Sequence, residues 1–107
     1  MAESGQPYRR WQPDGAYDAV VIGSGIGGLG VAALLAGRAG KRALVLERHA
    51  TKAGGFTHIF KRKGFEWDVG LHYVGEVHRP DSTIRRLFDE ITGGRLDWQP
   101  MGDVYDT

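Results

Sequence analysis

Three glycines and one carboxylate stand out in this chain of 107 residues: Gly23, Gly25 and Gly28, spaced Gly-x-Gly-x-x-Gly, and Glu47 downstream. Their chemistry is recognition of a dinucleotide. Gly23 permits a sharp turn out of a strand, Gly25 removes the Cβ that would collide with a pyrophosphate, and Gly28 lets a helix pack closely on a sheet. The unpaired N–H groups at the start of that helix, around Ile26 and Gly27, then face the phosphates, where aligned peptide dipoles favour negative charge. Glu47 stands roughly 20 residues beyond the last glycine, where an acid ending a second strand can accept both hydroxyls of a ribose.

These residues need a strand, a helix and a second strand to position them. Residues 17–22, with almost no polar alternation, predict a central parallel strand covered on both faces. Val31, Ala32, Leu34 and Leu35 recur at helical spacing within a helix from about 27 to 38, and Gly40 suits the left-handed stop. Gly30 inside it costs about 1 kcal/mol against alanine, which predicts close packing over the strand or the phosphates. Leu44-Val45-Leu46 then closes on Glu47. A lone Gly-x-Gly-x-x-Gly is a weak signal, but with strand, helix, strand and acid all in order a phosphate site outweighs a merely structural glycine turn.

Outside this unit the sequence is less directive. Residues 1–15 form a polar leader; its Tyr8, Arg9, Arg10 and Trp11 suit a membrane surface or a partner or, on the plainer reading, a solvated arm that settles on the domain. A polar loop from Arg48 to Ala53 leads to Gly54-Gly55. Residues 57–61 and 65–67 flank Lys63-Gly64 as a β-hairpin, and residues 73–77 read as a further short strand. Asp81 or Ser82 caps a helix whose stripe of Ile84, Leu87, Phe88 and Ile91 reads as core and which ends at Gly93-Gly94; residues 96–101 read as extended.

Composition excludes several classes. Formal net charge is +1 and there is no cysteine, so disulfides, thiolate metal sites and redox cysteine pairs are ruled out within this chain. No basic stripe interleaved with aromatics points to nucleic acid. His49, His58, His72 and His78 have neither the spacing nor the carboxylate neighbours of a ligand set, so no metal is expected. No apolar run approaches the roughly 20 residues that cross a bilayer, and no signal-peptide core is visible. The resulting expectation is a cytoplasmic protein, with peripheral membrane contact as an alternative.

Nicotinamide and flavin enzymes share the first βαβ unit, so the residues after the acid must separate them. Lys52-Ala53-Gly54-Gly55-Phe56-Thr57-His58, with the series from Gly64-Phe65-Glu66-Trp67-Asp68-Val69-Gly70 through Leu71-His72-Tyr73-Val74-Gly75, resembles the retinol saturase, phytoene desaturase and carotenoid isomerase family of flavoproteins. It departs from the amine oxidases in carrying Phe56 where they place a basic residue. The resemblance implies an α/β fold, a Rossmann-like FAD/NAD(P)-binding βαβ with an added β-hairpin, forming an incomplete domain over residues 16–107. It implies FAD held by Gly23, Gly25, Ile26, Gly27 and Gly28 at the pyrophosphate and by Glu47, with Arg48 beside it, at the ribose; Gly54 and Gly55 would pass near the pyrophosphate or flavin. His58 and His72 suit either a bond to cofactor or substrate or ordinary packing, and Asp68 either orients backbone at the flavin or ends the hairpin.

The activity so implied is transfer of hydride equivalents between flavin and a carbon–carbon double bond of a small lipophilic substrate, retinoid- or carotenoid-like, with NAD(P) as electron donor or acceptor. No catalytic residue is identifiable, and the remainder of the enzyme is expected to lie outside this chain, leaving it with little turnover alone. Two other classes stay open: an NAD(P)-binding dehydrogenase domain, and a non-catalytic nucleotide-binding fragment.

Overall fold

Valine and isoleucine favour the pleated backbone, and two short apolar runs pair accordingly. In a computed structural model, which describes residues 5–71 and 73–104, β1 (Ala19–Ile22) lies parallel to β2 (Ala43–Leu46), in register from Ala19 opposite Ala43 to Ile22 opposite Leu46. Parallel neighbours require a crossover, supplied by α1 (Ile26–Gly37), which packs on both strands. Alanine and leucine give α1 its helical preference. It stops where Gly40 takes φ +59° and the Lys41 N–H closes on the Leu35 carbonyl at 2.9 Å.

Arg42 clamps the starts of both strands. Its backbone N–H donates to the Asp18 carboxylate at 2.8 Å, and its guanidinium donates to the Ala16 carbonyl at 3.0 Å and to Asp14 at 2.9 Å. The same guanidinium lies 4.9 Å over the Tyr17 ring, whose hydroxyl donates to Asp14. The clamp is exposed, so it sets position more than it adds stability.

The expected cover on both faces of the first strand is not found among the described residues. Val20 is 56% and Ile22 87% exposed. With β2 as its one sheet partner and α1 as its one helical cover, β1 keeps an apolar face open to water, against the usual burial of parallel sheets. Gly30 also differs from expectation, since a Cβ there would meet nothing within 4 Å.

The hairpin's first strand starts two residues later than predicted, because residues 55–57 make a tight helical turn first, while its turn and second strand begin where expected. β3 (Ile59–Arg62) and β4 (Phe65–Asp68) pair antiparallel around Lys63 at φ +52° and Gly64 at φ +82°, the two positive angles that match a two-residue turn to strand twist. This first compact unit ends at Gly70.

The second unit, from Leu71, contains α2 (Thr83–Thr92). Of the two candidate caps Ser82 is the one used: its hydroxyl oxygen accepts from the Arg85 N–H at 3.2 Å and donates to the Glu76 carbonyl at 2.9 Å. Gly93 ends the helix at φ +63°. Phe88 and Ile91 are half-buried, with Phe88 edge-on to Trp98 at 5.1 Å, whereas Ile84 and Leu87 of the expected core stripe are exposed. The strand predicted over 73–77 is absent from the described residues. Glu76 takes φ +61° and its carbonyl accepts from the Arg79 N–H at 3.0 Å, which makes a turn that no ladder tolerates.

Two neighbouring glycines of α1 should respond oppositely to alanine. A Cβ at Gly28 would sit 2.3 Å from the Gly23 carbonyl oxygen, so Gly28→Ala is expected to destabilise by about 1–3 kcal/mol. Gly30→Ala, which meets open space, should stabilise by up to about 1 kcal/mol. Urea unfolding midpoints of the two variants check the pair.

Candidate functional site

At the end of β1 the chain turns through Gly23, at φ +96°, whose N–H donates to the Leu46 carbonyl at 2.7 Å. Gly25 then serves as the N-cap of α1, whose first bond runs from the Leu29 N–H to the Gly25 carbonyl at 2.9 Å. No side chain caps this helix start and no acid occupies its first turn. A Cβ at Gly25 or Gly27 would meet nothing within 4 Å, and Ile26 is exposed between them. The glycines thus divide the work as their spacing predicts: turn at Gly23, open approach at Gly25, helix-on-strand packing at Gly28. What they present is an uncapped, electropositive helix end with room before it, which suits a diphosphate.

Ser24, the x between the first two glycines, is only 2% exposed and ties the site together. Its backbone N–H donates to Glu47 Oε2 at 2.9 Å and its hydroxyl to the same oxygen at 2.5 Å. The Gly54 N–H donates to the Ser24 carbonyl at 2.9 Å and is shared with its hydroxyl oxygen at 3.2 Å. Glu47 Oε1 in turn accepts from the His49 N–H at 2.7 Å. The acid therefore faces the glycine turn, as expected of it. Two carboxylate oxygens have about four lone-pair positions between them, and most are taken by these donors.

These donors hold Glu47 far below the ordinary carboxylate range. The Ser24 hydroxyl contributes most, then the His49 and Ser24 N–H groups, and together they bring the pKa from 4.5 down to about 2.

The second glycine pair lies directly on the first loop. Gly54, buried and at φ +115°, bridges to Gly25 in parallel fashion, and a Cβ on Gly55 would come within 3.1 Å of the Gly25 Cα. Beyond it, Phe56 packs over Gly70, where a Cβ would meet the Phe56 side chain at 3.1 Å. His58 Nδ1 pairs with the Gly55 carbonyl at 2.5 Å, and its ring lies 5.2 Å from that of His49. His49 Nδ1 accepts from the N–H groups of Lys52 at 3.0 Å and Thr51 at 3.3 Å, which folds the 49–52 loop. Both imidazoles are thus engaged in local structure. Arg48 is exposed and lines two clefts, one of about 380 Å³ with Phe56 and His58, the other of about 950 Å³ reaching the N-terminal arm. Asp68 sits opposite Ile59 at the open end of the hairpin. His72 lies outside the described residues. Among those that are described, no three His, Asp or Glu side chains gather as a metal site, and no helix is long and apolar enough to cross a membrane.

Sequence patterning does not single out Ser24. Its one visible signal is a hydroxyl residue enclosed by two glycines, at a point where the next chain segment must find a hydrogen-bond partner.

A glycine turn, an uncapped helix start and an acid latched back onto that turn define a dinucleotide-binding βαβ unit. Known proteins agree: residues 21–91 match the family model described as the NAD(P)-binding Rossmann-like domain. The chain is 53% identical over 91 residues to an all-trans-retinol 13,14-reductase of Danio rerio, which covers 83% of this chain and 14% of the relative. An inactive all-trans-retinol 13,14-reductase of the same species is 47% identical over 90 residues, covering 84% of this chain and 14% of that one. Prolycopene isomerase 2 of an Oncidium hybrid cultivar is 56% identical over 54 residues, 50% of this chain and 9% of the isomerase. The chain belongs to the NAD(P)-binding Rossmann-like family and, within it, matches the retinol saturase and carotenoid isomerase group. It spans about 14% of the length of the retinol reductases it matches.

The latch carries its own pH signature. A folded pKa near 2 against an ordinary 4.5 means that the bonds to Glu47 contribute fully above about pH 4.5 and are lost as pH falls toward 2. A carboxyl ¹³C NMR titration should place the Glu47 midpoint near 2 in the intact chain, and Ser24→Ala, which removes the main cause, should move it toward 4.5. A wild-type midpoint at 4.5 would show that the latch does not form.

Proposed function

We propose that this chain is the FAD-binding segment of an oxidoreductase acting on carbon–carbon double bonds of a retinoid- or carotenoid-like lipophilic substrate. The observation that carries the cofactor half is the junction of the two glycine segments at Ser24. Two stretches of side-chain-free backbone, Gly23 to Gly28 and Gly54-Gly55, meet on one surface, with the open approach at Gly25 and Gly27. A nicotinamide site needs only the first of these segments. The second, placed against it, supports a flavin dinucleotide. The residues present fit that group: bare amides at the helix start for the pyrophosphate and the Glu47 carboxylate beside the same turn for the ribose. FAD, when bound, supplies hydride acceptance and donation.

The substrate half rests on the relatives. Retinol and prolycopene, after which these relatives are named, are both polyenes. Identity over this stretch does not separate a reductase from its inactive counterpart, so it reports on holding the cofactor and not on turnover. The role of Gly23, Gly25, Ile26, Gly27, Gly28, Glu47, Gly54 and Gly55 is accordingly to bind and orient. Catalytic groups, the NAD(P) that serves as electron donor or acceptor, and any peripheral membrane contact belong to the rest of such an enzyme. A second reading, an NAD(P)-binding dehydrogenase domain, is favoured by the description of the matching family.

Colour separates the two. Purified chain incubated with FAD and freed of excess ligand should stay yellow, whereas retention of NAD or NADP with no retention of FAD would establish the nicotinamide reading. Gly25→Val, which fills the approach while leaving the turn and the latch in place, should weaken FAD binding about tenfold or more, the loss of one charge-assisted contact of about 1.5 kcal/mol or greater. Unchanged affinity in that variant would sink the proposed site.

A further inference from the structure

Two imidazoles bracket the second glycine pair. His49 opens the segment that runs from the acid to Gly54-Gly55, His58 closes it, and their rings lie 5.2 Å apart, tilted by 55°. We propose that His49 is a positioning residue whose neutral ring folds the loop delivering Gly54 and Gly55 onto the first glycine turn, so that the chain releases its dinucleotide as that ring takes up a proton. The inference rests on the flavin reading above and adds to it a control by acidity.

The hydrogen-bond partners assign the ring protons, and they assign them oppositely. His49 Nδ1 faces two donors, the N–H groups of Lys52 at 3.0 Å and Thr51 at 3.3 Å, so it is bare and the neutral ring carries its proton on Nε2. His58 Nδ1 faces the Gly55 carbonyl, which only accepts, so there the proton sits on Nδ1 and Nε2 is bare. A second proton therefore enters His58 at Nε2 and leaves its bond to Gly55 intact. In His49 the remaining position is Nδ1, where an added N–H would point at two others and both loop bonds are lost. Rotating the ring cannot restore them, because both nitrogens of an imidazolium are donors. What opens is the stretch between two anchors, the His49 N–H on Glu47 Oε1 at 2.7 Å and the Gly54 N–H on the Ser24 carbonyl at 2.9 Å. His49 is exposed, so a proton reaches it from solvent. The charged and titratable side chains that line the cleft of about 380 Å³ with it are Glu47, Arg48, Lys52 and His58, and Glu47, the acid among them, is committed to Ser24. The Glu47 bonds are complete above about pH 4.5, so a loss of cofactor at milder acidity belongs to an imidazole and not to the carboxylate latch.

The test follows the backbone amides of the intact chain by NMR between about pH 5 and 8, beside the His49 ring signals. The Thr51 and Lys52 amide shifts should move with the midpoint of the His49 ring, while the Gly23 amide, held on the Leu46 carbonyl, stays put. His49→Asn supplies a side-chain oxygen that accepts from the same two amides and does not titrate. That variant should hold both amides, and its affinity for FAD read by flavin fluorescence, constant over the range. Wild-type affinity should fall about fivefold or more as His49 charges, the effect of losing one net hydrogen bond or more. Thr51 and Lys52 amides that ignore the ring titration overturn the inference, as does an equal pH dependence in wild type and His49→Asn. So does an affinity that rises as the ring charges, the result if imidazolium simply attracts the diphosphate. A chain that holds no FAD at any pH sinks the flavin reading, and its amide titration still decides whether His49 folds the loop.

Discussion

A hydroxyl sealed between two glycines holds the rest of this site in place. Ser24 meets three segments that are distant in sequence: its own turn, the acid ending β2, and the second glycine pair. A buried polar group without partners would be costly, so each of its bonds is obligatory once the residue is enclosed. The consequence is geometric. Gly25 cannot move toward or away from Gly54 without breaking the shared N–H at Ser24, and Glu47 cannot swing outward without releasing Ser24 and His49 together. The helix end offered to an anion is thereby fixed relative to the acid that would accept from the adjoining sugar, which is preorganisation in the sense that binding need not supply it.

The same arrangement resolves an electrostatic conflict. A carboxylate next to a diphosphate site repels the ligand it is meant to help hold. Here the carboxylate is compensated on its inner side by two N–H groups and a hydroxyl, so its charge stays with the protein at any pH above about 4.5. The uncapped start of α1 keeps its partial positive charge for the ligand, since no side chain has been used to cap it. Separating these roles, with Ser24 facing Glu47 and the helix amides facing outward, lets an acid and an anion site share one turn.

How much of this was legible in the sequence follows from which constraints act locally. Gly23 and Gly28 are readable because one turn and one close contact admit nothing larger, as the 2.3 Å approach at Gly28 shows. The hairpin is readable from Lys63-Gly64, where two positive φ angles are needed in succession. Gly30 misleads, because its apparent cost suggests a packing partner that the described residues do not provide. The segment 73–77 misleads for the opposite reason: an aromatic and two valines suggest a strand, while Gly75-Glu76 turns the backbone out of any ladder. Ser24 was invisible because its importance lies in three long-range bonds, and no spacing rule encodes where Gly54 will arrive.

Holding a cofactor and using it are separable properties, and on the reading proposed above the residues here would serve the first. Among the described residues near the glycine loops, Glu47 is engaged on Ser24, and each of two imidazoles uses its Nδ1 in local structure, His49 in its own loop and His58 on the Gly55 carbonyl. A catalytic acid or base must exchange its proton with a substrate within hydrogen-bond reach, and a carboxylate that accepts from Ser24 and the His49 N–H, as Glu47 does, is poorly placed for that. The shape of this segment is set at Gly23, Gly25, Gly28 and Ser24, by one turn, one open approach, one close contact and three long-range bonds.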